Sequence, residues 1–223
     1  MHRIRVFRTK LLAWYEYNGR CFPWRSPREP TYRLVVTEVL LQRTQAGAVA
    51  RAYHRFFKQF PSWRKLARAD ESELGEVLKP LGLWRRRTRS LLHLAEAVTQ
   101  LNGRVPADSS AVQQLPGVGQ YIANAIQLLR GIEPAPLLDG NMARILERYF
   151  GPRSRADIRY DVYLQDLAWR VSDCPCAKEL NWAILDLAAD VCRSVRPRCP
   201  DCPLKRGCNR ARGVSRARGD RPE

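Results

Sequence analysis

The sequence predicts an all-α protein. Apolar residues recur at helical spacing through most of the chain, and no run of alternating apolar and polar residues persists long enough for a strand. Glycine, proline and helix-capping residues punctuate these segments where helices start and stop. No fixed-period repeat is present.

Residues 4 to 19 form the first expected helix, with Leu11, Leu12, Trp14 and Tyr15 on its inner side and Gly19 closing it. Phe22-Pro-Trp-Arg25 and Ser26-Pro-Arg-Glu-Pro30 form an extended link, because each proline biases its predecessor away from helical geometry. A long helix follows from Tyr32 to roughly Ala52. It carries Leu34, Val35, Val36, Val39, Leu40 and Leu41, with polar Thr37, Glu38, Gln42 and Arg43 embedded. Glu38 sits either at the edge of that stripe, solvated like most mid-helix glutamates, or in a cleft with a raised pKa. Phe56, Phe57, Phe60 and Trp63 read as core aromatics, and Ala69-Asp-Glu-Ser-Glu-Leu74 as an acid-rich helix start. Pro80 to Trp84 is a turn. Arg85-Arg86-Arg87-Thr-Arg89 then heads a helix to Val98, either as a solvated face or as a grip on phosphates. Ser109 or Ser110 is the expected cap of the helix that enters the next turn.

That turn opens the most informative stretch, Leu115 to Asp139. Leu115-Pro-Gly-Val-Gly119 has two glycines that allow positive φ and let a phosphate approach the bare backbone. The helix opening behind it, apolar from Ile122 to Leu129, aims free N–H groups and its positive dipole end at an anion. Glu133-Pro-Ala-Pro136 cannot be helical, and Asp139-Gly-Asn141 starts another helix. The plain alternative is a glycine turn and an N-cap aspartate. Helices from Met142 to Phe150, Tyr160 to Val171 and Leu180 to Val191 complete the set. The arginine- and glycine-rich tail from 209 to 223 has no apolar face, and its composition predicts disorder.

The 223 residues carry 39 Lys+Arg against 22 Asp+Glu, a net charge of +17 that favours a polyanion such as nucleic acid. No run approaches ~18 apolar residues and no signal-peptide pattern opens the chain, so a cytoplasmic location without membrane association is expected. Disulfides are uncommon there. Of seven cysteines, Cys192, Cys199, Cys202 and Cys208 are spaced C-x6-C-x2-C-x5-C. Four thiolates in so short a segment point to a metal centre. Zinc more often uses two close C-x2-C pairs, so a [4Fe-4S] cluster is the first expectation. Cys21, Cys174 and Cys176 read as ordinary thiols.

Together, LPGVGQYIANAI, LLDGN and the cysteine spacing resemble the helix-hairpin-helix base-excision DNA glycosylases, from about Trp14 to Cys208. The resemblance implies two helical domains flanking a DNA-binding cleft. One is a six-helix unit over 30–133. The other is a cluster domain of 1–29 with 134–208. Gly117 and Gly119 would hold a DNA phosphate, with a monovalent cation as a further ligand of the hairpin. Asp139 would be the essential aspartate, stabilising the positive charge that builds on the sugar as the N-glycosidic bond breaks. Cys192, Cys199, Cys202 and Cys208 would be the cluster ligands. The partner is double-stranded DNA with a damaged or mismatched base, bound by a monomer.

The branch follows from details. Where the endonuclease III branch has a nucleophilic lysine, this chain has Tyr121, which implies a monofunctional glycosylase without lyase activity. Phe22-Pro-Trp-Arg25 and Thr37-Glu-Val-Leu-Leu-Gln-Arg-Thr44 resemble the MutY-type adenine and the thymine-mismatch branches. In the former, Glu38 would be the general acid and Asn141 a polar helper near the sugar. Gln42 and Arg43 would fill the gap left by the flipped nucleotide. Arg85 and Arg86 are candidate phosphate contacts. The chain ends soon after the cysteines, without the C-terminal domain that reads 8-oxoguanine. Trp182 stands where adenine enzymes offer a polar group to the base, and Ala46-Gly47 resembles the thymine-mismatch branch. The implied activity is removal of thymine or uracil opposite guanine. Adenine opposite guanine or 8-oxoguanine is the alternative, and a non-catalytic iron–sulfur damage sensor the rival outside enzymology.

Overall fold

The computed structural model describes residues 2–213. Every regular element among them is a helix, α or 3-10. The chain divides into two units. One joins the residues up to 20 with those from 134 onward, and the other spans 21–133.

Helix α1 (His2–Asn18) opens the first unit and buries Ile4, Phe7 and Leu11 on one stripe. Leu12, Trp14 and Tyr15, expected inside, are only partly buried at its margin. The Gly19 N–H donates to the Tyr15 carbonyl at 2.8 Å and ends the helix.

Residues 21–29 belong with the second unit, whereas the sequence assigns them to the first. Trp24 is the physical reason. It is buried in that unit's core, stacked on Phe22 with centroids 4.7 Å apart and in contact with Tyr53 at 5.9 Å. The Tyr53 hydroxyl also donates to Glu29.

The single helix expected from Tyr32 to Ala52 is two helices, α2 (Thr31–Leu41) and α3 (Ala46–Gln59). The break puts Arg43 at φ 54°. Nothing local demands it, since residues 42–45 include neither proline nor glycine. Next come α4 (Trp63–Ala67), capped by Ser62, and α5 (Glu71–Leu78), whose cap Asp70 accepts from the Ser72 and Glu73 N–H groups. Helix α6 (Trp84–Gln100) packs its Trp84 ring so close to α5 that a Cβ at Gly75 would lie 3.0 Å from it. Helix α7 (Ser109–Gln113) is capped by Asp108, which accepts from the Ala111 N–H at 2.8 Å; the expected serine caps are replaced by the carboxylate one residue earlier. Helix α8 (Gln120–Leu129) is buried continuously from Ile122 to Leu128. Tyr53, Phe56, Phe57, Phe60 and Trp63 fill the same core, as their composition predicts.

Beyond the prolines the first unit resumes with α9 (Gly140–Phe150), α10 (Val162–Ser172) and α11 (Ala177–Asp190). Their apolar stripes close on α1 in a second core. Two polar anchors fix the parts that helices leave loose. Arg20 pairs with buried Asp186, Nε to Oδ1 at 2.7 Å. The Leu137 N–H donates to Asn181 Oδ1 at 2.7 Å, and the Asn181 amide nitrogen donates to the Ala177 carbonyl at 2.8 Å. The disorder predicted from residue 209 does not begin there. The Asn209 and Arg210 N–H groups donate to the Tyr149 and Arg148 carbonyls at 3.3 and 3.0 Å, and the Asn209 side chain donates to Phe150 at 2.9 Å. Residues 214–223 lie outside the described residues.

Asn181→Ala strands a buried N–H, which costs about 1–3 kcal/mol. Urea unfolding should show a lower midpoint with an unchanged slope. An unchanged midpoint would mean that Leu137 finds another partner.

Candidate active site and cysteine centre

In the first unit two of the sequence-predicted site residues, Asp139 and Asn141, meet at the start of α9. Asp139 is its N-cap: Oδ1 accepts from the Asn141 and Met142 N–H groups at 2.9 and 2.8 Å, and Oδ2 from the Asn141 side-chain amide at 2.7 Å. The N-cap interpretation of Asp139 is therefore met by the geometry, which leaves its carboxylate held in one orientation. Burial raises its pKa above the ordinary carboxylate value, against the opposing pull of the Met142 and Asn141 donors and of Arg144. A poorly hydrated carboxylate fixed by three donors does most for a cation that forms beside it.

Exposed Asn141 links outward. Its Oδ1 accepts from Arg144 Nη2 at 3.1 Å, while Arg144 Nε donates to the Cys192 carbonyl at 2.9 Å and Nη2 to the Ala188 carbonyl at 3.1 Å. One turn later, Arg148 donates from Nη1 to the Cys192 carbonyl, the Cys192 sulfur and the Arg193 carbonyl at 3.3, 3.4 and 2.7 Å. Its own carbonyl accepts from the Cys208 thiol at 3.2 Å. Arg144 and Arg148 carry no signal in the sequence beyond being two arginines one turn apart on a helix; folding brings them to the cysteine turn.

Cys192, Cys199, Cys202 and Cys208 line one cavity of about 30 Å³ beside Arg148 and Lys205. Burial, with Cys192, Cys208 and Cys199 adding to it, pushes the Cys202 thiol up to about 11. Metal binding to cysteines requires thiolates, so a cationic centre in this cavity would displace the thiol protons. Among the described residues no group of three or more His, Cys, Asp or Glu side chains is placed to hold a single metal ion. Four sulfur donors around one cavity are the ligand type that iron–sulfur clusters use. Glycine is required at 207, where a Cβ would run into the Tyr149 hydroxyl. Trp182, on α11, is half-buried, with Lys178 Nζ 5.6 Å from its ring centroid.

In the second unit Glu38 is buried on α2 at 5% exposure, so it does not belong to a solvated helix face. Tyr121 is half-buried in the first turn of α8. Gly117 uses positive φ, +76°, whereas Gly119 is extended at φ −94°, which corrects the expectation for the second glycine. What Gly119 provides is space: a Cβ there would meet nothing within 4 Å. Gln42 and Arg43 are exposed in the break between α2 and α3, and Ala46 is the partly buried first residue of α3. Arg85 and Arg86 are exposed, with Arg85 4.5 Å above the Trp84 ring centroid. Arg87 is buried, so the arginine run is not one charged face.

Residues 36–167 match the HhH-GPD superfamily of base excision DNA repair proteins. The thymine-DNA glycosylase of Aeropyrum pernix is 37% identical over 211 residues, 92% of this chain and 94% of that protein. The adenine DNA glycosylase of Rattus norvegicus is 33% identical over 96% of this chain, which spans 43% of that relative. Among solved structures, that of a thermostable thymine-DNA glycosylase superposes with a TM-score of 0.88 at 30% identity, covering 95% of this chain and 98% of the other.

The raised Asp139 pKa fixes the sign of a pH effect. The folded state binds the Asp139 proton more readily than the unfolded state, so this contribution to stability is full below the unfolded pKa and is lost as pH rises through the folded value. Asn at 139 still caps the helix but cannot ionise. Asp139→Asn should melt at or above the wild-type temperature at neutral pH, the difference shrinking in acid. A variant that melts lower at every pH would overturn the assignment.

Proposed function

The chain belongs to the HhH-GPD superfamily of base excision DNA repair proteins and is a DNA glycosylase, and we propose that it is monofunctional and releases thymine or uracil opposite guanine. The observation that carries this proposal is Asp139, a desolvated carboxylate aimed by three N–H donors, in a chain matched nearly end to end by a thymine-DNA glycosylase.

In this mechanism the target nucleotide leaves the stack, and the Asp139 carboxylate stabilises the sugar cation while water completes hydrolysis. Asn141 orients the carboxylate. Glu38 supplies a proton or hydrogen bond to the departing base. The amide groups around Gly117 and Gly119 hold a backbone phosphate, with or without a monovalent cation, and Arg85 and Arg86 contact others. Gln42 and Arg43 occupy the space that the nucleotide vacates. Trp182 and Ala46 contact the extruded base. Tyr121 offers no amine, so no Schiff base forms and the strand stays intact.

Cys192, Cys199, Cys202 and Cys208 hold a [4Fe-4S] cluster in this proposal. Such a cluster supplies a rigid cross-link between the end of α11 and the Cys208 turn. No helix among the described residues is long and apolar enough to cross a membrane. We place the protein in the cytoplasm on DNA, at the nucleoid in a prokaryote, as a monomer.

Adenine release is the second possibility, favoured by buried Glu38 and by the likeness to the rat adenine DNA glycosylase. Single-turnover assays on duplexes with G·T, G·U, G·A and 8-oxoguanine·A separate the two. Thymine or uracil release, with strand breaks only after alkali, is the expected result, and Asp139→Asn should slow it by on the order of 10²–10³-fold or more. Adenine release would move the protein to the other branch. Covalent trapping by borohydride would refute the monofunctional assignment, and no release from any duplex would favour a damage sensor.

Protein purified without oxygen should be yellow-brown with about four iron atoms per chain. Cys202→Ser should lose colour and iron; a colourless wild-type protein containing zinc would overturn the cluster.

A further inference from the structure

Arg87 is the member of the arginine run that turns inward, at 5% exposure in the first turn of α6. Its Nη1 donates to the Leu81 and Gly82 carbonyls at 3.1 and 2.6 Å. Its Nη2 donates to the Gln42 carbonyl at 2.8 Å and to Thr44 Oγ1 at 2.7 Å. The Thr44 hydroxyl adds a direct link between the loops, to the Leu81 carbonyl at 3.3 Å. One planar guanidinium thus joins the 42–45 break to the turn that precedes α6.

Each of these loops carries an exposed non-glycine residue in the left-handed region: Arg43 at φ 54° and Leu83 at φ 50°. Such conformations persist only where surrounding contacts over-determine them. Arg87 provides those contacts, meeting four acceptors at fixed angles. A lysine cannot do so, because its ammonium is a compact charge on a flexible stem. Burial lowers the Arg87 pKa from its usual value, yet arginine stays charged at any physiological pH.

We propose that Arg87 is a positioning residue for nucleotide extrusion, locking the 42–45 and 81–83 loops together so that Gln42 and Arg43 meet the duplex already in their working conformation. This rests on the assignment of Gln42 and Arg43 as the residues that fill the vacated space. A purely structural arginine would lower the melting temperature of its variants and leave the kinetics of the folded fraction alone. A positioning arginine slows extrusion specifically. Binding, dominated by phosphate contacts, should change little.

The test compares wild type, Arg87→Lys and Arg87→Met well below their melting temperatures, on a duplex with 2-aminopurine beside the mismatched base. The fluorescence rise reports extrusion, and base release is followed in parallel on the same duplex. Both variants should extrude and release more slowly by about 10–100-fold, with lysine giving no rescue. The same target base in an unpaired bulge, already partly unstacked, should be released at nearly the wild-type rate. Unchanged rates on the paired duplex, or equal losses on paired and bulged substrates, would overturn the proposal. If Arg87→Met does not fold, Thr44→Val removes one acceptor of the same clasp and should give a smaller loss confined to the paired substrate. A Gln42→Ala, Arg43→Ala double variant separates the two levels. Its failure to slow extrusion sinks the underlying assignment; its slowing, with Arg87 variants unaffected, sinks the Arg87 proposal alone.

Discussion

An extended segment with two prolines forms no helical ladder, and in this protein a buried side chain takes up the Leu137 N–H that the segment leaves. Asn181, at the heart of α11, accepts the Leu137 N–H while its amide is held by the Ala177 carbonyl and the Ser172 hydroxyl. That contact sets where the chain arrives at Asp139 and so where α9 begins. The arginines of α9 then reach back to the end of α11 and to the cysteine turn. The two helices are therefore tied at both ends, and the carboxylate between them has little freedom.

The position of Asp139 carries a tension between stability and chemistry. A helix N-terminus favours a negative charge, and three N–H donors reinforce it. Burial works in the other direction and wins, since the pKa is raised. The protein thus keeps a carboxylate that is held in place and underhydrated at once. In water such a group would spend its field on solvent; here less of that field is screened, which is what the proposed role beside a sugar cation requires.

Net charge is a poor map of where this protein meets DNA. Several arginines are collectors of carbonyls: Arg8 serves the end of α10, Arg3 the end of α9, and Arg130 the Val105–Pro106 turn. Such positions complement the negative ends of helices and satisfy acceptors that the helices leave over. Arg87, Arg144 and Arg148 do the same work beside the residues assigned to chemistry. The +17 charge therefore overstates the surface offered to phosphate.

The all-α class, the aromatic core, the glycine turn, the Asp139 cap and the four-cysteine set were legible in the sequence, because each rests on local spacing or on residue chemistry that needs no distant partner. The boundaries between helices were less so: Asp108 in place of Ser109 or Ser110, and residues 21–29 joining Tyr53, depend on neighbours brought in by folding. The break at 42–45 shows why. Its apolar pattern suits one continuous helix, and the left-handed turn is held from outside by a guanidinium on α6, 43–45 residues away along the chain, and by the Thr44 hydroxyl's link to Leu81. Sequence alone determined which groups could do chemistry here; tertiary structure decided how each is held, since a buried donor or acceptor takes its partner from whatever the fold places within 3 Å.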